Sequence, residues 1–163
     1  MMVFNTTQKL WLYQQNHSNK ISWPDATTGL IGVDMTEECT FLKMYNITEK
    51  DYHYWRKSNM LNQCHYHGTF FQDDGLGSMN VSDLSANETT PFEVMKLMYA
   101  DKNCSVFFVT PLEDDAPTVC ELYVRNKSVS SGPSTNCTDY YNQLCNTTIV
   151  LYNSTCQDAA TTG

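Results

Sequence analysis

Short apolar and aromatic runs alternate with polar turns through most of this chain, the pattern of antiparallel strands with one buried face. They predict strands at about Lys9–Gln15, Cys39–Tyr45, Tyr52–Lys57, His65–Gln72, Met79–Ser82, Phe92–Tyr99, Cys104–Thr110 and Thr118–Arg125, with a last strand at Thr147–Tyr152. The runs Val106–Val109 and Val119–Val124 are the most apolar, and Glu113, Asp114, Asp115 and Pro117 mark the turn between them. The period then changes. Beyond Pro133, the residues Cys137, Tyr140, Tyr141 and Leu144 fall at i, i+3, i+4 and i+7, one face of a helix over about Ser134–Cys145. The expected fold is all-β: an eight-stranded antiparallel barrel, wide enough for one small ligand, with a C-terminal helix packed on its outside. It reads as one domain over residues 1–163, with the barrel at about 8–125, the helix at about 134–145 and a tail to 156.

One connection is out of scale. Asn16 to Glu38 reads as a long loop after the first strand, holding Trp23-Pro24-Asp25 and Gly29-Leu30-Ile31-Gly32. Loops of this length tend to be functional, so a lid over the barrel mouth stands beside an inert surface loop.

The formal charge of −8 and pI near 4.7 argue against nucleic acid or an anionic membrane as partner. Seven cysteines fit an oxidising compartment better than the cytosol. Ten of the fourteen asparagines open Asn-x-Ser/Thr triplets: Asn5, Asn16, Asn46, Asn80, Asn87, Asn103, Asn126, Asn136, Asn146 and Asn153. Chance would give about three, so the chain reads as a secreted, extracellular glycoprotein. Asn103 and Asn136 abut cysteines and are set apart as expected to stay unmodified. No apolar run follows Met1, as in a mature chain with an added initiator, and no stretch approaches the roughly 18 apolar residues of a membrane span.

The C-terminal third carries a resemblance. Cys104-Ser105-Val106, then Glu121-Leu122-Tyr123, then Cys137 resembles the amine-binding signature of the histamine-binding lipocalins of tick saliva. That signature runs Cys-Asp-aliphatic, Glu-Leu-aromatic, Cys; here Ser105 stands where the aspartate belongs. The resemblance is strong from Cys104 to Cys156, fair around Cys39 and weak over Met1–Glu38, where no N-terminal helix is expected. It implies the disulfides Cys39–Cys156 and Cys104–Cys137, and, as in some members, Cys120–Cys145. Cys64 is then the odd cysteine.

If Cys104 and Cys120 both bond a helix outside the barrel, strand alternation sends Ser105, Phe107, Val109, Val119, Glu121 and Tyr123 inward. Val106, Phe108, Leu122 and Val124 then receive Tyr140, Tyr141 and Leu144. With Lys96 facing water, Glu93, Met95, Leu97 and Tyr99 point inward. The candidate ligand-binding set is Trp11, Leu42, Met44, Trp55, Phe70, Glu93, Met95, Leu97, Tyr99, Ser105, Phe107, Glu121 and Tyr123.

In the amine binders the matching glutamate and aspartate together hold an ammonium ion. Ser105 removes one of those charges, which Glu93, Asp25 or Asp34 would have to replace. The remaining pocket material is soft and apolar. The expectation is therefore an apolar ligand, a sterol such as cholesterol or an eicosanoid, in a salivary lipocalin that suppresses host immune or inflammatory responses. The alternatives are a scavenger of histamine or serotonin, and an immunomodulator whose outer surface binds a host immune-cell or mediator protein. Cys64-His65-Tyr66-His67, with His53 nearby, lacks a second ligand pair at familiar spacing, so no metal and no cofactor are expected. Gly75-Leu76-Gly77 is a turn without the strand–helix context of a phosphate loop. No Ser/His/Asp arrangement or spaced acid pair suggests an enzyme.

Overall fold

The computed structural model describes residues 2–17, 20–24, 31–60, 63–73, 75–87, 89–113 and 116–157. Its strands are β1 (Leu10–Gln15), β2 (Lys20–Pro24), β3 (Ile31–Thr36), β4 (Phe41–Ile47), β5 (Asp51–Lys57), β6 (Cys64–Asp73), β7 (Leu76–Asp83), β8 (Glu93–Ala100), β9 (Cys104–Pro111), β10 (Val119–Arg125) and β11 (Ile149–Val150). One α-helix, α1 (Thr135–Leu144), follows β10. Eight strands run antiparallel in the order β10-β9-β8-β7-β6-β5-β4-β1, and β1 pairs back onto β10 to close the barrel. Closure removes the sheet edges that would otherwise expose unpaired backbone groups.

Period-2 alternation divides the apolar residues into two clusters. Inside the barrel lie Leu10, Leu12, Leu42, Tyr52, Tyr54, Met79, Val81, Met95, Phe107, Val109 and Tyr123. Outside, under the helix, lie Val106, Leu122, Val124, Cys104 and Cys120, joined by Cys137, Tyr141 and Cys145. Both faces of β9 and β10 are covered, which explains their nearly continuous apolar runs. Ser134 caps α1, its side chain accepting from the Cys137 amide. The three disulfides are those the resemblance implies: Cys39–Cys156, Cys104–Cys137 and Cys120–Cys145. Two of them staple α1 to β9 and β10, and the first closes a sequence separation of 117 residues.

Several expectations are corrected. The stretch from Asn16 to Glu38 contains a hairpin, β2 paired with β3 from Lys20↔Thr36 to Trp23↔Val33. Its tip, including Asp25, lies outside the described residues, as do the side chains of Trp23 and Asp34. The last strand is only Ile149–Val150, added to β1. Leu144 does not pack beneath the helix; it is exposed, and Tyr140 stacks instead on Tyr99. The N-terminus does form a helical turn, a 3-10 turn at Met2–Phe4 that buries Phe4 inside the barrel. Phe4 stacks on Tyr52 at 4.6 Å and on Phe107 at 5.3 Å, filling that end of the interior.

Three candidate pocket residues point outward. Trp11 lies against Phe41 and Tyr152, its indole N–H donating to Asn126 Oδ1 at 2.8 Å. Its strand turns Leu10 and Leu12 inward, and the opposite parity follows for Trp11. Trp55 sits on the outer face against Tyr45 and His65, because Tyr54 and Arg56 take the inward positions of β5. Tyr99 is displaced by a bulge between Leu97 and Tyr99 that reverses the alternation, and its ring joins the cluster beneath the helix.

Candidate functional site

At the end of the barrel opposite Phe4 the interior becomes polar. A cavity of about 160 Å³ is lined by Leu42, Tyr54, Arg56, Tyr66, Phe92, Glu93, Met95, Glu121 and Tyr123. All but Phe92, which lies just before β8, arrive by strand alternation. β5 supplies Tyr54 and Arg56, β6 supplies Tyr66, β8 supplies Glu93 and Met95, and β10 supplies Glu121 and Tyr123. Cross-strand registers tie the two acids to one side: Glu121 opposes Phe107, and Glu93 opposes Pro111 at the far end of the same β9.

The charges do not balance within this group. Arg56 is the cation of the cavity wall, and its Nη1 lies 2.8 Å from Glu37 Oε1, just past β3. Thr40 Oγ1 also donates to that oxygen at 3.2 Å. Glu121 accepts a hydrogen bond from the Tyr123 hydroxyl at 2.8 Å. Burial pushes the Glu93 carboxyl up to about 8, and the neighbouring Glu121 adds to the shift while Arg56 opposes it. Burial raises Glu121 as well, against the Tyr123 hydrogen bond and Arg56. Three carboxylates therefore share one guanidinium, and the site holds a proton at neutral pH because two unpaired charges would be desolvated together. The tyrosines are raised by burial too, Tyr66 to about 12, so their hydroxyls remain donors.

Of the candidate residues read from the sequence, Leu42, Glu93, Met95, Glu121 and Tyr123 line this cavity. Met44, Phe70, Leu97 and Phe107 lie in or against the interior cluster beyond it. Ser105 is buried opposite Tyr123 on β9, apart from the cavity wall. Trp11, Trp55 and Tyr99 are not brought to it. Tyr54, Arg56, Tyr66 and Phe92 were missed. The signal for Tyr54 and Arg56 was present: His53 and Lys57 share the parity of Trp55, so placing Trp55 inside would have sent two further polar groups with it. No pattern marked Arg56 as the cation of the cavity wall, since its partner Glu37 is remote in sequence.

Chemically, the arrangement can receive a cation. It presents two carboxylates at one cavity, one tyrosine hydroxyl already committed to Glu121, and the rings of Tyr54, Tyr66 and Phe92 around them. Ring faces attract ammonium groups, and paired acids supply the counter-charge.

Comparison with known proteins gives a consistent picture. The family described as tick histamine binding protein matches residues 2–158. Among solved structures, Japanin from Rhipicephalus appendiculatus bound to cholesterol is similar, with a TM-score of 0.56 and 13% sequence identity, covering 92% of this chain and 95% of that one. No curated protein matches.

Proposed function

We propose that this chain, which belongs to the tick histamine-binding protein family, captures a small cationic amine in the acidic cavity of its barrel. The family is one of ligand-binding lipocalins rather than enzymes. The observation that carries the amine reading is the charge arrangement: Glu93 and Glu121 face one cavity whose cation, Arg56, is held by Glu37 at 2.8 Å. A bound ammonium ion would supply the positive charge these two acids lack, with Glu93 standing in for the aspartate that Ser105 replaces. Size favours the same ligand. The cavity of about 160 Å³ lies below the roughly 300 Å³ at which drug-sized pockets begin. It suits a one- or two-ring amine such as histamine or serotonin. The supply of tyrosine and phenylalanine rings supports an aromatic amine in particular.

A sterol or eicosanoid is the second reading. It is favoured by the apolar column beyond the cavity, where Phe4 reaches the interior from a three-residue turn rather than from a strand. The similar fold of Japanin was solved bound to cholesterol. An apolar ligand of that size requires Phe4 and the acids to rearrange. In either reading the setting is secretion: three disulfides support it, and among the described residues no helix is long and apolar enough to cross a membrane. Asn5, Asn46, Asn87, Asn126, Asn146 and Asn153 are exposed and open to glycosylation, and Asn16 and Asn80 are half-buried. Removal of an amine mediator, or an outer-surface contact with a host protein, would serve suppression of host inflammation.

Calorimetry with histamine and serotonin tests the proposal. One ligand should bind per chain, and Glu121→Gln should weaken binding about 100-fold, the loss of roughly 2–3 kcal/mol of charged contact. Absence of amine binding, together with a sterol recovered by organic extraction of the protein, would establish the second reading instead.

A further inference from the structure

On the side of the β5–β6 ribbon facing away from the cavity, three of the four histidines of the chain come together. His65 and His67 alternate on one strand, and His53 stands opposite His67 on its antiparallel neighbour. His53 Nδ1 lies 3.1 Å from His65 Nε2. The rings of His53 and His67 are stacked, 4.5 Å between centroids and 14° between planes. His67 Nε2 donates to Asp51 Oδ1 at 2.8 Å, which leaves the lone pair of His67 on Nδ1. All three rings are half-buried on the barrel exterior, and Trp55 borders them with its ring 5.1 Å from that of His65.

We propose that His53, His65 and His67 form a surface site for a borderline divalent transition-metal ion, Zn²⁺ or Cu²⁺, with Asp51 as the group that orients His67. The pair His53–His65 already has the spacing of two ligands. A tetrahedral ion with Zn–N bonds of 2.0–2.1 Å separates neighbouring nitrogens by about 3.3 Å. The shared proton between the two rings is what the ion replaces. As the side chains stand, no three such donors among the described residues meet at one point. Completing the site needs a rotation of the half-buried His67 ring about its Asp51 hydrogen bond. A carboxylate holding the far nitrogen of a ligand histidine is the usual outer support of such sites. Imidazole donors without thiolate suit zinc and copper over magnesium or calcium. The site is independent of the amine cavity, whose wall is built from the inward residues Tyr54, Arg56 and Tyr66 of the same strands.

The full-length, untagged protein titrated with ZnCl₂ in a calorimeter provides the test. One Zn²⁺ per chain is expected at pH 7.5. His53→Ala and His65→Ala should each weaken it by more than the roughly tenfold expected of Asp51→Asn, while His17→Ala leaves it unchanged. Cu²⁺ should quench a fluorescence component that disappears in Trp55→Phe, although that variant still binds Zn²⁺. Selective broadening of the His53, His65 and His67 imidazole signals by substoichiometric Cu²⁺ in the unaltered protein gives the same answer without a substitution. The proposal is overturned if Zn²⁺ does not saturate one site, if the isotherm of a His53→Ala/His65→Ala/His67→Ala variant matches that of the native protein, or if the broadened signals belong to His17.

Discussion

The two ends of the barrel interior are built by the same strands and obey opposite physics. At one end Phe4, Tyr52, Phe107 and Met79 exclude water completely, with aromatic rings stacked at 4.6 and 5.3 Å. At the other, a few residues along the same strands, Arg56, Glu93 and Glu121 surround a cavity of about 160 Å³. Apolar packing of this kind contributes about 25 cal/mol for each Å² removed from water. Buried carboxylates sharing one guanidinium cost stability instead. The packed end therefore holds the frame that keeps the acidic end open, and the destabilising charges sit where a ligand can compensate them.

Three substitutions break or sharpen this contrast. The largest effect is expected from Phe4→Ala in the packed end. It should cost about 3–5 kcal/mol of unfolding free energy, the usual penalty for emptying a buried aromatic site. Amine affinity should change far less, since Phe4 does not line the cavity; a loss of affinity comparable to that of Glu121→Gln would show that the two ends are one unit. Gly68→Ala comes next. A Cβ at Gly68 would run into Sδ and Cγ of Met79, which is fully buried. Overpacking should cost about 1–3 kcal/mol, read as a lower denaturant midpoint with an unchanged slope.

The smallest effect has the opposite sign. Glu93 binds its proton more tightly in the folded chain, with a value near 8 against the ordinary 4.5. The folded state thus carries more protons than the unfolded one across that interval, and native stability falls as pH rises from about 4.5 to 8. Glu93→Gln removes this titration. The variant should be more stable than the native protein at pH 8, by roughly 1–2 kcal/mol, with the gain shrinking toward pH 5. Thermal melts at the two pH values check it. A variant equally destabilised at both would show that the Glu93 carboxylate is satisfied as an anion.

The parity of β9 and β10 was legible because the cysteines marked it. Once Cys104 and Cys120 are tied to an external helix, Phe107, Glu121 and Tyr123 must face inward, and they do. No cysteine marks β5, where both parities carry large rings, Tyr52 and Tyr54 on one and His53 and Trp55 on the other; only the polar His53 and Lys57 beside Trp55 point to its outward face. Tyr99 shows a different limit. A bulge inserts one residue without any glycine to announce it, and every side chain after it changes face. The hairpin β2–β3 was hidden by its Pro and Gly content, which reads as loop when no partner strand is in view.

What the sequence determined by itself was the local and the covalent: the two-residue period, the helix face behind Pro133, the cysteine frame through its family signature, and an acid at position 121 inside a barrel. These follow from patterns a few residues long, or from bonds that need only matching spacing. The tertiary structure alone decided which charges meet. Glu37, Arg56, Glu93 and Glu121 come from four separate segments, and Coulomb interactions depend on distance through space and on the water excluded between the groups.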